Sequence, residues 1–549
     1  MTTPLLASFL KWEHEKPELT FLRQPVRGKW HEWSFNEAGV EIRKIAAGLQ
    51  ALNLPTRSNI AILSKNCAHW LMADLAIMMA GHVSVPLYAN ITDASIKQIL
   101  EHSESRAIFV GKLDDYDKQK KGIPSSVKKI SIDFYGIAEG ELVSDWIEKQ
   151  TPLEKTAKWT SEELMTIMYT SGTTGKPKGV MFNSNAFRHA TEIIMEYLGR
   201  VKPLPAHPKL FSYLPLCHIA ERHLTEVLGC QTGASISFVE SLDTFARDLA
   251  SVQPNLFFGV PRIWSRFQEK ILEKLPQKKL DLYLKIPLIN SLIRKVLSKK
   301  LGLSQSAINA SGAAPMPASL LIWLERLGIV VHEIYGMTEN CAISHGNQEE
   351  RRHGTVGKVM KSVEAKFSGD GEILTKHNAM MMGYYREPTM TADALTPDGF
   401  LKTGDMGVLD QDGFLTITGR VKDNFKTDKG KYVSPLPMEL GLSKNGDIGQ
   451  VCVVGMGIPQ PIALVVLSEA ANAKSKEEIR KSLSASLKEV SATVEDYEKL
   501  KKAVVMKEEW TIVNGMMTPT LKIKRNEVEK IHLPKYPTWY AMDGDVVWE

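Results

Sequence analysis

Short runs with buried-strand character alternate with helix-like runs along most of the chain, and this alternation restricts the fold more than any other feature of the sequence. NIAIL (59–63) is apolar and of strand length, and 67–80 has helical length. HVSVPL (82–87) reads as the next strand and 94–101 as the next helix. Such β–α alternation favours parallel sheets covered by helices, because parallel neighbours need a crossover connection and the helix supplies it. The texture changes at 358–419, where GEILT, GVLD and GFLTITG are punctuated by Gly and Asp. That is the pattern of small antiparallel strands joined by turns. Beyond GRVKD (419–423) comes a polar, lysine-rich stretch at 424–432, two strand-like runs (QVCVVGMG and IALVVLSE) and a charged amphipathic helix at 474–494. The expected architecture is α/β. A large N-terminal domain (1–422) holds parallel sheets covered by helices and a small β-barrel-like part, and a small α+β domain (423–549) follows.

Composition excludes several classes. Lys plus Arg is 68 against 63 for Asp plus Glu, a net charge of +5 spread over 549 residues. A nucleic-acid binder concentrates basic residues more strongly, so no nucleic-acid partner is expected. With 43% hydrophobic and 24% charged residues, the chain matches an ordinary globular protein and not a disordered one. Its five cysteines lie far apart with no CxxC pair, which argues against a disulfide framework or a structural zinc site and for reduced thiols in the cytoplasm. The N-terminus has no basic region ahead of its short apolar stretch and makes a poor signal peptide. The most apolar segment, 70–88, contains Asp74, Gly81, His82 and Pro86 and is too interrupted to span a membrane.

The most informative segment is LMTIMYTSGTTGKPKGVMF (164–182). An apolar strand-like run leads into a loop dense in hydroxyls, glycines and lysines, and helical periodicity resumes at 183–198. A strand–loop–helix unit of this composition suits a phosphate ligand. Gly172 and Gly175 allow close backbone approach, Thr170, Ser171, Thr173 and Thr174 can donate to phosphate oxygens, and Lys178 adds charge. The GxxxxGK[ST] spacing does not fit, so this is not a P-loop NTPase. On composition alone a surface turn is an equal reading.

TSGTTGKPKGV closely resembles the signature loop of the adenylate-forming superfamily, which contains acyl-CoA synthetases, luciferases and adenylation domains. Further segments follow in that superfamily's order: SGAAP (311–315), YGMTE (335–339), TGD (403–405), GRVKD (419–423) and TPTLKIKR (518–525). Within the superfamily, LPLCHIAER and TPTLKIKR look most like long-chain fatty acyl-CoA synthetases. The resemblance implies ATP-dependent conversion of a fatty acid to an acyl-adenylate with release of pyrophosphate, then transfer to CoA, with Mg²⁺ assisting. It also implies roles for individual residues. The loop 170–178 holds the β- and γ-phosphates. Gly312, Ala313 and Ala314 form the adenine pocket, and Tyr335 lies against the adenine face beside Gly336. Thr338 meets the α-phosphate, Glu339 binds Mg²⁺, Asp405 accepts from the ribose hydroxyls and Arg420 lies near it. Asp423 is the hinge about which a mobile C-terminal domain turns. Lys522 is the catalytic lysine, although Lys524, two residues on and on the opposite side of a strand, leaves the register open.

The resemblance also places His218 at the border of the acyl site and puts PNLFFGVPRIW (254–264) along the acyl tunnel. Gly259 and Gly312 would leave room there, or serve backbone packing. The segment 266–300 carries ten basic and three acidic residues, with Ile286, Ile289, Ile293 and Val296 at helical spacing. Two readings stand: an amphipathic helix packed on the core with a solvated basic face, or peripheral contact with the inner face of a membrane. Two other functions share the motifs, namely adenylation with a carrier protein as acyl acceptor and a non-catalytic acyl- or nucleotide-binding homologue.

Overall fold

The computed structural model describes residues 3–171, 177–348, 350–518 and 522–549. Among these, the largest sheet has eight strands, in the order 383–384, 177–183, 164–171, 83–87, 59–63, 107–110, 128–131 and 141–142. The strands from 164–171 to 141–142 run parallel, and 177–183 and 383–384 add an antiparallel edge. NIAIL forms the strand Asn59–Leu63, buried at every position, as expected of a strand covered on both faces. The helix Ala68–Ala80 packs on this sheet and is buried from Ala68 to Met79. The apolar run at 70–88 is therefore a core helix and the strand after it. No helix among the described residues is long and apolar enough to cross a membrane.

A second sheet holds three parallel strands, Leu256–Phe258, Ile308–Ser311 and Val331–Tyr335, extended by two short antiparallel ones. A third, four-stranded sheet joins Thr20–Val26 and Lys29–Ser34 to Lys209–Ser212 and Ser235–Phe238. The Gly- and Asp-punctuated stretch forms a four-stranded antiparallel sheet, Glu364–Phe367, Glu372–Lys376, Leu401–Leu409 and Leu415–Arg420. The small C-terminal domain, from about residue 423 onward, has its own four-stranded sheet and the helix Lys476–Ser491, which starts with a capping box at Ser475 and Glu478. Gly441 lies inside the helix Leu436–Leu442 despite its low helix propensity. A Cβ there would come within 2.6 Å of Val490 Cγ2, so the glycine admits the neighbouring helix.

One expected unit differs. The run 164–171 does not lead through its loop into a helix. It pairs antiparallel with Pro177–Asn183, with Thr170 opposite Lys178, and the helix Ser184–Val201 begins only after that strand, where the Asn183 side chain caps it. The loop therefore bridges a hairpin and has no helix N-terminus at its end. GVMF is held as a strand by neighbours on both sides, 164–171 and 383–384, and its branched and aromatic side chains suit that pleated, largely buried position.

Candidate active site

The strand Val331–Tyr335 and the strand pair Leu401–Leu409 and Leu415–Arg420 bring three distant side chains together. Tyr335 donates its hydroxyl to Asp405 Oδ2 at 2.8 Å, and Arg420 Nε donates to Asp405 Oδ1 at 2.8 Å. Asp405 and Arg420 are direct partners across the antiparallel ladder, which fixes the ion pair. The carboxylate is buried while the guanidinium is 47% exposed, so Arg420 covers Asp405 from the solvent side. Burial and the neighbouring Asp405 charge push the Tyr335 hydroxyl well above its usual range, so it stays a donor at neutral pH. Gly336 follows immediately, and a Cβ there would lie 2.2 Å from the Ala342 carbonyl carbon. A Cβ at Gly312 would lie 2.8 Å from the Ile334 carbonyl oxygen. Beside it, half-buried Ala313 adopts φ 66°, a left-handed conformation that costs a non-glycine residue about 1–2 kcal/mol. Ala314 is exposed.

Thr338 and Glu339 lie in the short turn Thr338–Asn340, whose start is secured by Asn340 accepting from the Met337 amide at 2.8 Å. Glu339 is buried at 8% exposure, and among the described residues no cation pairs with it. Tyr384 donates to its Oε1 at 2.8 Å, and the Lys178 ammonium lies 5.2 Å from the centre of the same Tyr384 ring. Tyr384 thus joins the hairpin 164–183 to the 338–340 turn, held by its strand pairing with Val180. A buried carboxylate with one neutral donor fits a hard divalent ion that keeps its waters and takes its remaining ligands from substrate phosphates. Of the loop residues, Thr170 and Lys178 are half-buried and Ser171 ends the strand. Gly172, Thr173, Thr174 and Gly175 lie outside the described residues.

Lys522 is contributed by the C-terminal domain. Its side chain is exposed as a whole, yet its ammonium end is partly desolvated and feels the charges of Arg420 and Asp405. That desolvation and the Arg420 charge lower it to about 8, with Asp405 acting in the opposite sense. His218 responds to the same ammonium: desolvation first, then the Lys522 charge, bring it down to about 4, so its imidazole is neutral at pH 7. Its Nδ1 accepts from the Ala220 amide at 3.3 Å, which puts the ring proton on Nε2. Lys522, Arg420, Asp405 and His218 therefore share one electrostatic neighbourhood. The expected strand at 522–524 is absent. Met517 and Ile523 make an isolated bridge, and Lys524 occupies the N-cap position of the helix Arg525–His532, so the two lysines are separated by the entry into a helix and not by alternation on a strand. Asp423 follows the Leu415–Arg420 strand in a turn, its amide donating to the Arg420 carbonyl at 3.1 Å.

Gly259 does not leave open space in this structure. A Cβ there would lie 2.9 Å from Trp264 Nε1, and that indole donates to the Gly259 carbonyl at 2.9 Å. Two features were not among the roles read from the sequence. Tyr384 stands 45 residues from Glu339 with no motif linking them. The second is the ionic cluster of Arg222, Asp74 and Glu226, all three side chains 0% exposed. Arg222 opens the π-helical turn Arg222–Val227, four residues beyond His218.

The chain matches the AMP-binding enzyme family over residues 9–385 and the AMP-binding enzyme C-terminal domain over 423–534. The chain belongs to the AMP-binding enzyme family. It is an adenylate-forming ligase of the acyl-CoA synthetase type. Similar proteins include the long-chain-fatty-acid–CoA ligase FadD15 of Mycobacterium bovis, 28% identical over 94% of both chains. Fatty acyl-CoA synthetase A of Dictyostelium discoideum is also 28% identical, over 94% of this chain and 86% of the other. Among solved structures, the fold matches o-succinylbenzoate CoA synthetase of Bacillus subtilis with a TM-score of 0.74 at 20% identity, covering 95% and 97% of the two chains. It also matches the adenylation domain of a Mycobacterium chelonae carboxylate reductase with a TM-score of 0.80 at 20% identity, covering 98% and 91%.

Proposed function

We propose that this adenylate-forming enzyme is a long-chain fatty acyl-CoA synthetase. A fatty carboxylate attacks the α-phosphorus of ATP, forming acyl-AMP and releasing pyrophosphate. The CoA thiol then attacks the acyl carbon, forming the thioester and releasing AMP. In this reading the loop 170–178 cradles the β- and γ-phosphates, with Lys178 adding charge. The 312–314 segment and Tyr335 hold adenine, Asp405 and Arg420 hold the ribose, and Thr338 contacts the α-phosphate. Glu339 would hold Mg²⁺, which neutralises phosphate charge when bound. Lys522 offsets the charge that develops on the α-phosphate and carboxylate oxygens, a preorganised electrostatic contribution. Neutral His218 borders the acyl end, and rotation about Asp423 in a hinge between 1–422 and 423–549 would take Lys522 away for the second step.

The observation that supports this reading most is the Tyr335–Asp405–Arg420 cluster, which brings three motif segments far apart in sequence into direct hydrogen bonding, with Lys522 close enough for Arg420 and Asp405 to act on its charge. The preference for long chains is favoured by the fatty-acid ligases among the relatives. The test is pyrophosphate release from Mg·ATP across acids from acetate to stearate, with and without CoA. The reading expects release with laurate to stearate and acyl-CoA formed only when CoA is present. Release without acyl-CoA would move the acceptor to a carrier protein. No release with any acid, from protein that still binds ATP, would point to a binding role.

Tyr384→Phe probes the Glu339 arrangement. Removing one hydroxyl donor to a buried carboxylate forfeits about 1.5–3 kcal/mol of interaction. Adenylation is expected to slow about ten-fold or more at fixed Mg²⁺, and the Mg²⁺ concentration giving half the maximal rate should rise. An unchanged Mg²⁺ dependence, measured by pyrophosphate release, would remove Tyr384 from the metal-positioning role.

A further inference from the structure

Within the segment 266–300, for which two readings stand, the part at 277–300 bears on the choice between them. It forms the helices Gln277–Leu284 and Pro287–Lys300. The second has no buried residue. Its inner side is carried by Ile293 and Leu297, which pack partly buried against the core cluster that contains Phe257, Trp264 and Trp323. The outer side is not polar. Leu288, Leu292 and Val296, spaced four apart, are 86%, 61% and 41% exposed, and Leu282 and Ile286 just before them are 58% and 40% exposed. A soluble surface rarely leaves several large apolar side chains in one contiguous stripe, since burying each is worth a substantial free energy.

The charge around the stripe has one sign. Lys295 and Lys299 share the helical face of Leu292, three and seven residues on. Lys278, Lys279, Lys285 and Lys300 are also exposed, and among the described residues none of these six lysines has an ion-pair partner. The acidic residue of the pair of helices, Asp281, is already taken by Arg326. Exposed leucines level with unpaired lysines are the composition of a helix lying in a bilayer interface, with acyl chains receiving the leucines and anionic headgroups the ammonium groups. A protein partner or a second copy would leave those like charges facing each other or would have to supply acidic residues opposite each one.

We propose that the helix Pro287–Lys300 and the turn before it form a peripheral docking surface for an anionic lipid bilayer. The inner side of the same helix rests on the cluster containing Phe257 and Trp264, so docking would set the 254–264 segment next to the membrane, where long-chain acids partition. The inference does not depend on which acid is the substrate, because binding is read without turnover.

The test is sedimentation of the full chain with vesicles of phosphatidylcholine containing one-third phosphatidylglycerol, and with vesicles of phosphatidylcholine alone. Two double variants, Leu288→Ser with Leu292→Ser and Lys295→Gln with Lys299→Gln, are compared. The wild type is expected to bind the anionic vesicles, more weakly at ~0.15 M salt than below it. The lysine pair should lose about 25-fold in partitioning, near five-fold for each charge. The leucine pair should lose ten-fold or more, with thermal melting unchanged in both. Three results would overturn the proposal: no binding by the wild type, equal binding to neutral vesicles, or retention of binding by either double variant. Self-association of the wild type in sedimentation velocity, abolished by the leucine pair without any vesicle binding, would overturn it in favour of an interface between copies.

Discussion

Replacing Lys522 by alanine should lower the rate of acyl-adenylate formation by about 10²–10³-fold, the scale set by removing one preorganised charge or donor from a transition state. Transfer of the acyl group from supplied acyl-AMP to CoA should change far less, because that step is proposed to follow withdrawal of the lysine. The pH dependence supplies an independent readout. Lys522 titrates at about 8 in the free protein, lowered by desolvation and by Arg420. The ammonium is the useful form, so it is fully present well below that value and lost as pH rises through it. The kcat/KM of adenylation, which reports the free enzyme, should therefore fall along an alkaline limb near pH 8. Lys522→Arg keeps its charge throughout and should abolish that limb even where the rate itself is reduced. A limb that persists in Lys522→Arg would assign it to another group, and full adenylation activity in Lys522→Ala would remove the lysine from the chemistry. Lys524→Ala, at the helix cap, should leave both half-reactions within a few-fold of wild type.

Arg222→Ala should destabilise the N-terminal domain by about 3–5 kcal/mol, because it leaves buried carboxyls without their cation. Arg222 donates from Nη2 to Asp74 Oδ2 at 2.6 Å, from Nε to Glu226 Oε2 at 3.0 Å and from Nη1 to Thr166 Oγ1 at 2.7 Å. Ser84 donates to the other Asp74 oxygen. Two carboxyls face one guanidinium. Burial first, then the Asp74 charge, drive the Glu226 carboxyl far above its ordinary value of 4.5, and its Oε1 has no hydrogen-bond partner. Burial and the Asp74 charge therefore both favour the protonated form of Glu226 in the folded protein. The sign for stability follows. A carboxyl that stays protonated when folded but ionises when unfolded costs stability progressively as pH rises above 4.5. Glu226→Gln, which mimics the protonated form, should therefore gain on the wild type as pH rises above that value, by at most about 1.4 kcal/mol per pH unit. Asp74→Asn should instead lose stability comparably to Arg222→Ala. Chemical denaturation of the three variants at two pH values checks both statements. A pH-independent difference between wild type and Glu226→Gln would show Glu226 ionised in the folded state.

The elements of the large sheet were legible because their signals are local. NIAIL is buried on both faces and reads as one apolar run, and the helix Ala68–Ala80 follows at helical length. Motif segments could be assigned in order because each is a short stretch whose chemistry lies in consecutive residues. The hairpin around the phosphate loop was not legible because Pro177–Asn183 is strand only by pairing with 164–171 and 383–384, partners that lie outside its own seven residues. The choice between Lys522 and Lys524 is likewise not a local one, since the charges of Arg420 and Asp405 that act on Lys522 come from elsewhere in the chain.

By itself the sequence determined the fold class, the two-part organisation and the family, since strand and helix patterns and contiguous motifs are properties of neighbouring residues. Only the tertiary structure decided what distant residues do to one another. It set Tyr384 between Lys178 and Glu339, neutralised Arg222 within the core and gave Trp264 the space at Gly259. It also settled which side of the basic helix faces out, leaving Leu288 and Leu292 in solvent. Helical periodicity records that a helix has two faces, but the neighbour that covers one of them comes from elsewhere in the chain, and a choice between faces is an energy of packing that no local pattern contains.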